Sequence, residues 1–129
     1  DLGQIGEVLA GGGVLFTLAD QDAGPRGLFV DFFGRPASTH KAVAFLARRS
    51  GALILMVGMQ NTGGLMRNAF RLFDLIRPEE YAGHPDATTA ITQRVTAAVE
   101  RMVRSDPRQY MWLHRRWKSQ PPEARREAA

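Results

Sequence analysis

Two short apolar runs on either side of a helix-period segment place the tightest limit on what this chain can fold into. Residues 14–19 are apolar apart from Thr17 and lie between the triple glycine at 11–13 and Asp20-Gln21-Asp22, while residues 53–57 read Leu-Ile-Leu-Met-Val without a break. Runs this short read as strands buried on both faces, the pattern of a parallel sheet. Between them, Ser38 or Thr39 is placed to cap a helix reaching Arg49, with Ala42, Val43, Leu46 and Ala47 on its apolar side and Gly51 as its stop. Strand, crossover helix and strand make a right-handed βαβ unit. The expected fold class is therefore α/β, part of a mixed, mostly parallel sheet flanked by helices.

The rest of the chain fits around that unit. Leu2, Ile5 and Leu9 have helical spacing and end at the glycines, where a left-handed residue is available to stop a helix. From Asp20 to Pro36, glycines and prolines around residues 28–33 predict a long loop with an extended stretch and an exposed Phe32-Phe33 pair. Asn61-Thr62-Gly63-Gly64 reads as a turn and residues 69–75 as a half-buried strand near the sheet edge. Asp86 opens a helix to about residue 104, with Ile91, Val95, Ala98, Val99 and Met102 on one face and Arg94, Arg101 and Arg104 on a solvated one. After Lys118 the proline-led polar tail, 119–129, is expected to be loosely ordered, which leaves 1–118 as the folded unit.

Composition narrows the chemistry. At 129 residues, single-domain size, the 17 basic and 13 acidic side chains leave a net charge of +4, which favours anionic partners without naming one. The chain has no cysteine, so disulfides, thiolate catalysis and cysteine-ligated zinc are excluded. No apolar run approaches the roughly 20 residues of a membrane-spanning helix. The triple glycine precedes a strand, whereas a phosphate loop follows one, so a plain turn is the reading. Asp20-Gln21-Asp22 sits where α/β sheets bind ligands, beyond the carboxyl end of a strand, although a solvated loop fits as well. None of His40, His84 and His114 has a carboxylate one helical turn later, and no G-x-S-x-G elbow is present. No catalytic residue and no metal site is assigned.

The most distinctive stretch is 107–118, Pro-Arg-Gln-Tyr-Met-Trp-Leu-His-Arg-Arg-Trp-Lys, which holds both tryptophans of the chain. Tyr, Trp and Arg in this mixture can seal the end of a core, line a membrane interface or stack on bases. The chemistry of the residues leaves all three open.

Residues 108–118 resemble the C-terminal signature of the bacterial lipid A biosynthesis late acyltransferases. Leu18-Ala19-Asp20-Gln21-Asp22, then Gly27 with residues 29–39, then Leu46-Ala47 and Gly51-Ala52 follow that family's order and approximate spacing. The resemblance implies the C-terminal half of an αβα acyltransferase domain, its N-terminal portion lying upstream of Asp1, an expectation that the amphipathic opening without Met also raises. It implies transfer of an acyl chain from acyl carrier protein to a hydroxyl of a lipid A precursor or related membrane glycolipid, without a cofactor, at the cytoplasmic face of the bacterial inner membrane. The catalytic histidine and carboxylate would lie upstream, leaving an isolated fragment inactive. Asp20, Gln21 and Thr39 are carried over as lining the substrate site, and Phe32, Phe33 and Gly34 as shaping its wall. Tyr110, Trp112, Arg115, Arg116, Trp117 and Lys118 are expected to face acyl carrier protein or an anionic membrane, with no nucleic acid involved. The sequence departs from the family at 57–62, where a proline and an arginine are common, which bears on the acceptor. The competing reading is a non-catalytic basic module that binds anionic membrane or nucleic acid through 110–118.

Overall fold

The computed structural model describes residues 2–127, with side chains from 3 to 124. In chain order it comprises α1 (Leu2–Ala10), β1 (Leu28–Phe32), β2 (Arg35–Thr39), α2 (Ala42–Ser50), β3 (Ile54–Asn61), β4 (Asn68–Ile76), α3 (Ala87–Ser105) and α4 (Pro122–Glu127). Two 3-10 turns, Pro78–Tyr81 and Pro107–Gln109, flank α3.

The fold is mixed α/β, but the strands form two antiparallel pairs, β1-β2 and β3-β4, in place of the expected mostly parallel sheet. Two local causes account for this. Residues 14–18 are exposed and unpaired with any strand among the described residues, so the first strand of the βαβ unit is not formed here. Ser38 and Thr39, expected to cap the helix, instead end β2, opposite Phe29 and Leu28. The hairpin that claims them turns at Phe33 and Gly34, both with positive φ (55° and 74°), the arrangement of a tight two-residue β-turn. A left-handed phenylalanine is uncommon. Glu100 of α3 secures it by accepting the Phe33 N–H at 2.8 Å, and Asp31 Oδ1 accepts the Gly34 N–H at 3.2 Å.

The helix expectations survive with small shifts. Gly51, at φ 71°, ends α2 and donates its N–H to the Ala47 carbonyl at 2.8 Å. Asp86 caps α3 by accepting the Thr89 N–H at 3.1 Å. Ile91, Val95, Ala98 and Val99 are buried, joined by Val103, while Met102 is half-buried. Their partners in one core are Phe32 and Ala37 from the first hairpin, Ala44 and Ala47 from α2, and Ile54, Met56 and Ile76 from the second. Each large side chain so buried contributes about 1.5–3 kcal/mol. α3 is thus the axle against which both hairpins pack.

The second hairpin is fixed to α3 by charge as well. Asp74 receives Arg94 through both oxygens (3.1 and 2.9 Å) and Arg101 at 2.8 Å, and Arg94 also reaches Glu80 at 2.8 Å. Two of the three arginines expected on a bare solvated face are therefore structural; Arg104 pairs with Glu100 and lies over the Phe33 ring. A bulge lets this happen: Met56 opposes Asp74 and Val57 opposes Leu72, leaving Phe73 as the extra residue. Gly58 makes room, since a Cβ there would stand 3.0 Å from the Phe73 ring and 3.4 Å from Met102.

The Arg94 hydrogen bond holds the Asp74 carboxyl below its usual pKa; burial opposes this, and Arg101 adds to the lowering. Because the folded pKa is depressed, the contribution is fully present above the unfolded value of about 3.9 and disappears as pH falls through the folded one. We expect Asp74→Ala to cost about 2 kcal/mol at neutral pH, with the difference from wild type shrinking at acid pH, in urea unfolding followed across pH. A pH-independent difference would contradict the ionic account.

Candidate functional site

Three segments distant in sequence converge at one end of the first hairpin: residues 19–24, the end of β2 and the tail 110–120. Arg116 joins them. It is 1% exposed, donates Nη1–H to the Ser38 carbonyl and Nη2–H to Thr39 Oγ1, both at 2.6 Å, and lies 5.3 Å over the Phe32 ring. Thr39 passes the bond on, its hydroxyl donating to the Ala37 carbonyl at 3.1 Å. Burial lowers the Arg116 pKa, while Tyr110, Asp22 and Asp20 work the other way.

A second clasp lies beside the first. The Asp22 N–H donates to His114 Nε2 at 2.9 Å, which places the ring proton on Nδ1 and occupies the lone pair a general base would need. The Asp22 carboxylate accepts the Ser119 hydroxyl (2.9 Å), the Ser119 N–H (3.3 Å) and the Gly24 N–H (3.0 Å). Burial raises the Asp22 pKa, but these bonds and the Arg116 charge outweigh it, so the carboxyl titrates below its ordinary range. Ser38 closes the loop by donating its hydroxyl to the Gly24 carbonyl. Gly27 is required by this close approach, because a Cβ there would overlap the Ser38 hydroxyl.

Around the clasp lie three polar atoms buried without a hydrogen-bond partner among the described residues: the Tyr110 hydroxyl, Arg116 Nε and Trp117 Nε1. Burial raises the Tyr110 pKa, and Asp20 raises it further, so the phenol stays protonated at neutral pH. Asp20, Tyr110 and Gln109, with Asp106 and Gln60, are polar side chains lining a largely apolar groove of about 1060 Å³, which follows β3 on the side away from β4. Ala47, Ile54, Val99, Met102 and Val103 lie among its walls, opposite the extended residues 13–19. Such a groove suits a long apolar ligand with one polar terminus.

The residues singled out from sequence therefore divide. Phe32, Thr39, Tyr110, Arg116 and Trp117 form one cluster, with Asp20 beside it. Phe32 is buried, against the expected exposed pair, because its ring packs against Trp117 (5.4 Å) and Phe33 (4.7 Å). Arg116 is a correction too: a side chain buried between β2 and Phe32 has no surface to offer a carrier protein or membrane. Trp117 is half-buried under the Arg35 guanidinium, and Tyr110 is half-buried as well. Gln21 and Gly34 are exposed and lie outside the cluster, and Phe33 sits at the hairpin turn. Trp112, Arg115 and Lys118 remain exposed, with Trp112 anchored by its Nε1–H to the Pro107 carbonyl at 2.7 Å. Sequence reasoning named Asp22, Ser38 and His114 but not the partnerships that join them and Ser119, which span up to 97 residues and follow no local spacing. Hydrogen bonds run past Lys118 to Ser119 and Gln120, and residues 122–127 form a short helix.

We expect Arg116→Lys, which loses the two-pronged fork, to cost about 3 kcal/mol in urea unfolding. Arg115→Glu at the neighbouring exposed position should stay within about 0.5 kcal/mol of wild type. Equal losses at both positions would contradict the separation of buried from exposed cations.

Comparison with known proteins covers the same segments. The family model described as bacterial lipid A biosynthesis acyltransferase matches residues 2–119. The chain is 33% identical over 121 residues to the lipid A biosynthesis palmitoleoyltransferase of Escherichia coli K12, covering 92% of this chain and 38% of that protein. It is 34% identical over 124 residues to the lauroyltransferase of the same organism, covering 94% and 39%. A lipid A biosynthesis acyltransferase of Shigella flexneri matches at 33% over 121 residues. The chain spans about two-fifths of the length of these relatives. With the match running from α1 through both clasps to Ser119, the chain belongs to the bacterial lipid A biosynthesis acyltransferase family.

Proposed function

We propose that the protein to which this chain belongs transfers a fatty acyl group from acyl carrier protein to a hydroxyl of a lipid A precursor or a related membrane glycolipid, at the cytoplasmic face of the inner membrane. The observation that carries the reading is the family match across residues 2–119, the same span that builds the groove and its polar end. In the reaction the acceptor oxygen attacks the thioester carbonyl carbon, the C–S bond breaks, the hydroxyl proton leaves to a base, and the carrier thiol departs. No part of this chain is assigned as that base: His114 accepts the Asp22 N–H, and the histidine and carboxylate that the family resemblance implies for the proton transfer are placed in the parent protein outside these 129 residues.

The contribution of this chain is positional. The apolar walls of the groove hold the acyl chain, and Asp20 with Tyr110 marks the end at which polar atoms of the substrates lie. The Arg116 and Asp22 clasps keep the loop that carries Asp20 in place from behind. The exposed cations Arg115 and Lys118 face the acidic carrier protein or anionic headgroups, with Trp112 beside them. Among the described residues no helix is long and apolar enough to cross a membrane, so this part of the protein would meet the membrane by its surface.

Acyl transfer by the full-length protein tests the reading. Asp20→Asn should lower kcat/KM about tenfold or more, the scale of one charge-assisted hydrogen bond, with unfolding unchanged. The double change Arg115→Glu with Lys118→Glu should reduce activity more at low salt than at high salt, since exposed charges are screened within about 10 Å at 0.1 M. A full-length protein that bound DNA or vesicles but transferred no acyl group would favour the basic-module reading instead.

A further inference from the structure

Two turns at one end of the molecule hold apolar side chains out in solvent. The first closes the second hairpin, and Asn61 folds it: its side chain accepts the Gly63 N–H at 3.0 Å and donates to the Gly64 carbonyl at 2.9 Å, while Thr62 donates its N–H to the Arg67 carbonyl at 2.7 Å. Gly63 and Gly64 take the positive φ (106° and 100°) that this path requires. The result is a pre-formed tip whose apex, Leu65 and Met66, is 97 and 86% exposed. Neither side chain lines the groove. The second turn follows α3. There Met111 and Leu113 are 70 and 94% exposed on either side of Trp112, whose indole is tied back to Pro107.

The two turns are joined. Gln109 accepts the Asn61 N–H at 2.8 Å and donates its amide to the Asn61 carbonyl at 3.1 Å, a reciprocal pair that fixes the hairpin tip beside the start of the tail. Apolar side chains stabilise a fold by leaving water, so an apex held in water by a hydrogen-bonded turn contributes nothing to this one. Charge selects what it meets. No acidic residue occurs between Asp31 and Asp74, nor between Asp106 and Glu123. Asp106 itself is engaged by Arg108 at 3.0 Å and by Gln109 at 2.8 Å. Arg67 lays its stem against Gly64 at the turn, is exposed, and has no ion pair among the described residues; Arg71 is exposed behind it, and Arg115 and Lys118 follow Leu113. Exposed apolar apices flanked by cations match a bilayer with anionic headgroups, where apolar side chains enter the headgroup–acyl boundary and guanidinium groups meet phosphates.

We propose that the tip of the β3-β4 hairpin, together with Met111 and Leu113, is a foot that rests on an anionic lipid surface, with Leu65 and Met66 inserted and Arg67 on lipid phosphate. The Asn61–Gln109 pair holds its two parts side by side. The inference deepens the proposed function, resting on it only for the presence of a membrane, and adds a second segment to the exposed tail cations named there.

Site-specific photocrosslinking in the full-length protein tests it. Met66 and, in a second variant, Leu113 are replaced by p-benzoylphenylalanine, and Glu79, exposed beyond the opposite end of the hairpin, carries the same probe as a control. Each protein is irradiated in vesicles of phosphatidylethanolamine and phosphatidylglycerol with acyl carrier protein present, and adducts are mapped by mass spectrometry. The expected result is lipid adducts from 66 and 113 and none from 79. Any other pattern would overturn the proposal: adducts from 66 or 113 to acyl carrier protein, to another part of the protein or to a second copy, no adduct at either, or lipid adducts at 79 as well. Adding Arg67→Gln to the Met66 variant should lower the lipid-adduct yield about fivefold, the scale of one cation at an anionic surface. An unchanged yield would contradict the assignment of Arg67 to lipid phosphate. Acyl transfer is measured on the same samples, so that lipid adducts without transfer would sink the proposed reaction and leave this contact standing.

Discussion

The buried Arg116 guanidinium is the interaction on which the rest of the candidate site depends. Placing a charge in a core is costly unless its hydrogen bonds are met, and here Ser38 and Thr39 meet two of them while Phe32 receives the cation on its ring face. That arrangement works only if β2 ends where it does, and β2 ends there because the hairpin turns at Phe33 and Gly34. Glu100 of α3 steadies the turn, so the axle of the fold and the tail act on residues 33–39 from opposite ends. Asp22, accepting from Ser119 and donating its N–H to His114, extends the clasp to the loop that carries Asp20.

What was legible in the sequence was what local rules govern. The caps and stops at Asp86 and Gly51, the apolar face of α3 and the limits of β4 follow from side chains within a few residues of the elements they define. The sheet was not legible, for a physical reason. Apolar runs such as 14–19 and 53–57 specify burial on two faces but not which strand lies alongside, and here the Asn61–Gly64 turn gives the second run a nearer antiparallel partner in β4, while the first pairs with no strand among the described residues. The tail illustrates the same limit. Tyr, Trp and Arg were recognisable as amphipathic, yet Arg115 and Arg116 are adjacent, one exposed and one buried, and no local pattern distinguishes them.

Several surfaces of the chain remain open. Val14, Phe16 and Leu18 are exposed along one wall of the groove, and Leu65, Met66 and Phe70 are exposed on the second hairpin. Side chains buried here, such as Arg116 and Phe32, are committed to partners within the chain. This asymmetry explains why the clasped end of the groove is well defined while its opposite wall is not.

The most direct test of the central claim, that residues 110–119 are an internal clasp for the site, is hydrogen exchange on the full-length protein with and without the chain beyond Gln109. The account predicts faster exchange at residues 20–24 and 36–39 when the tail is removed, with β3 and β4 unchanged between the two proteins. Unchanged protection at 20–24 and 36–39 would show that the site stands without the tail and would contradict the account.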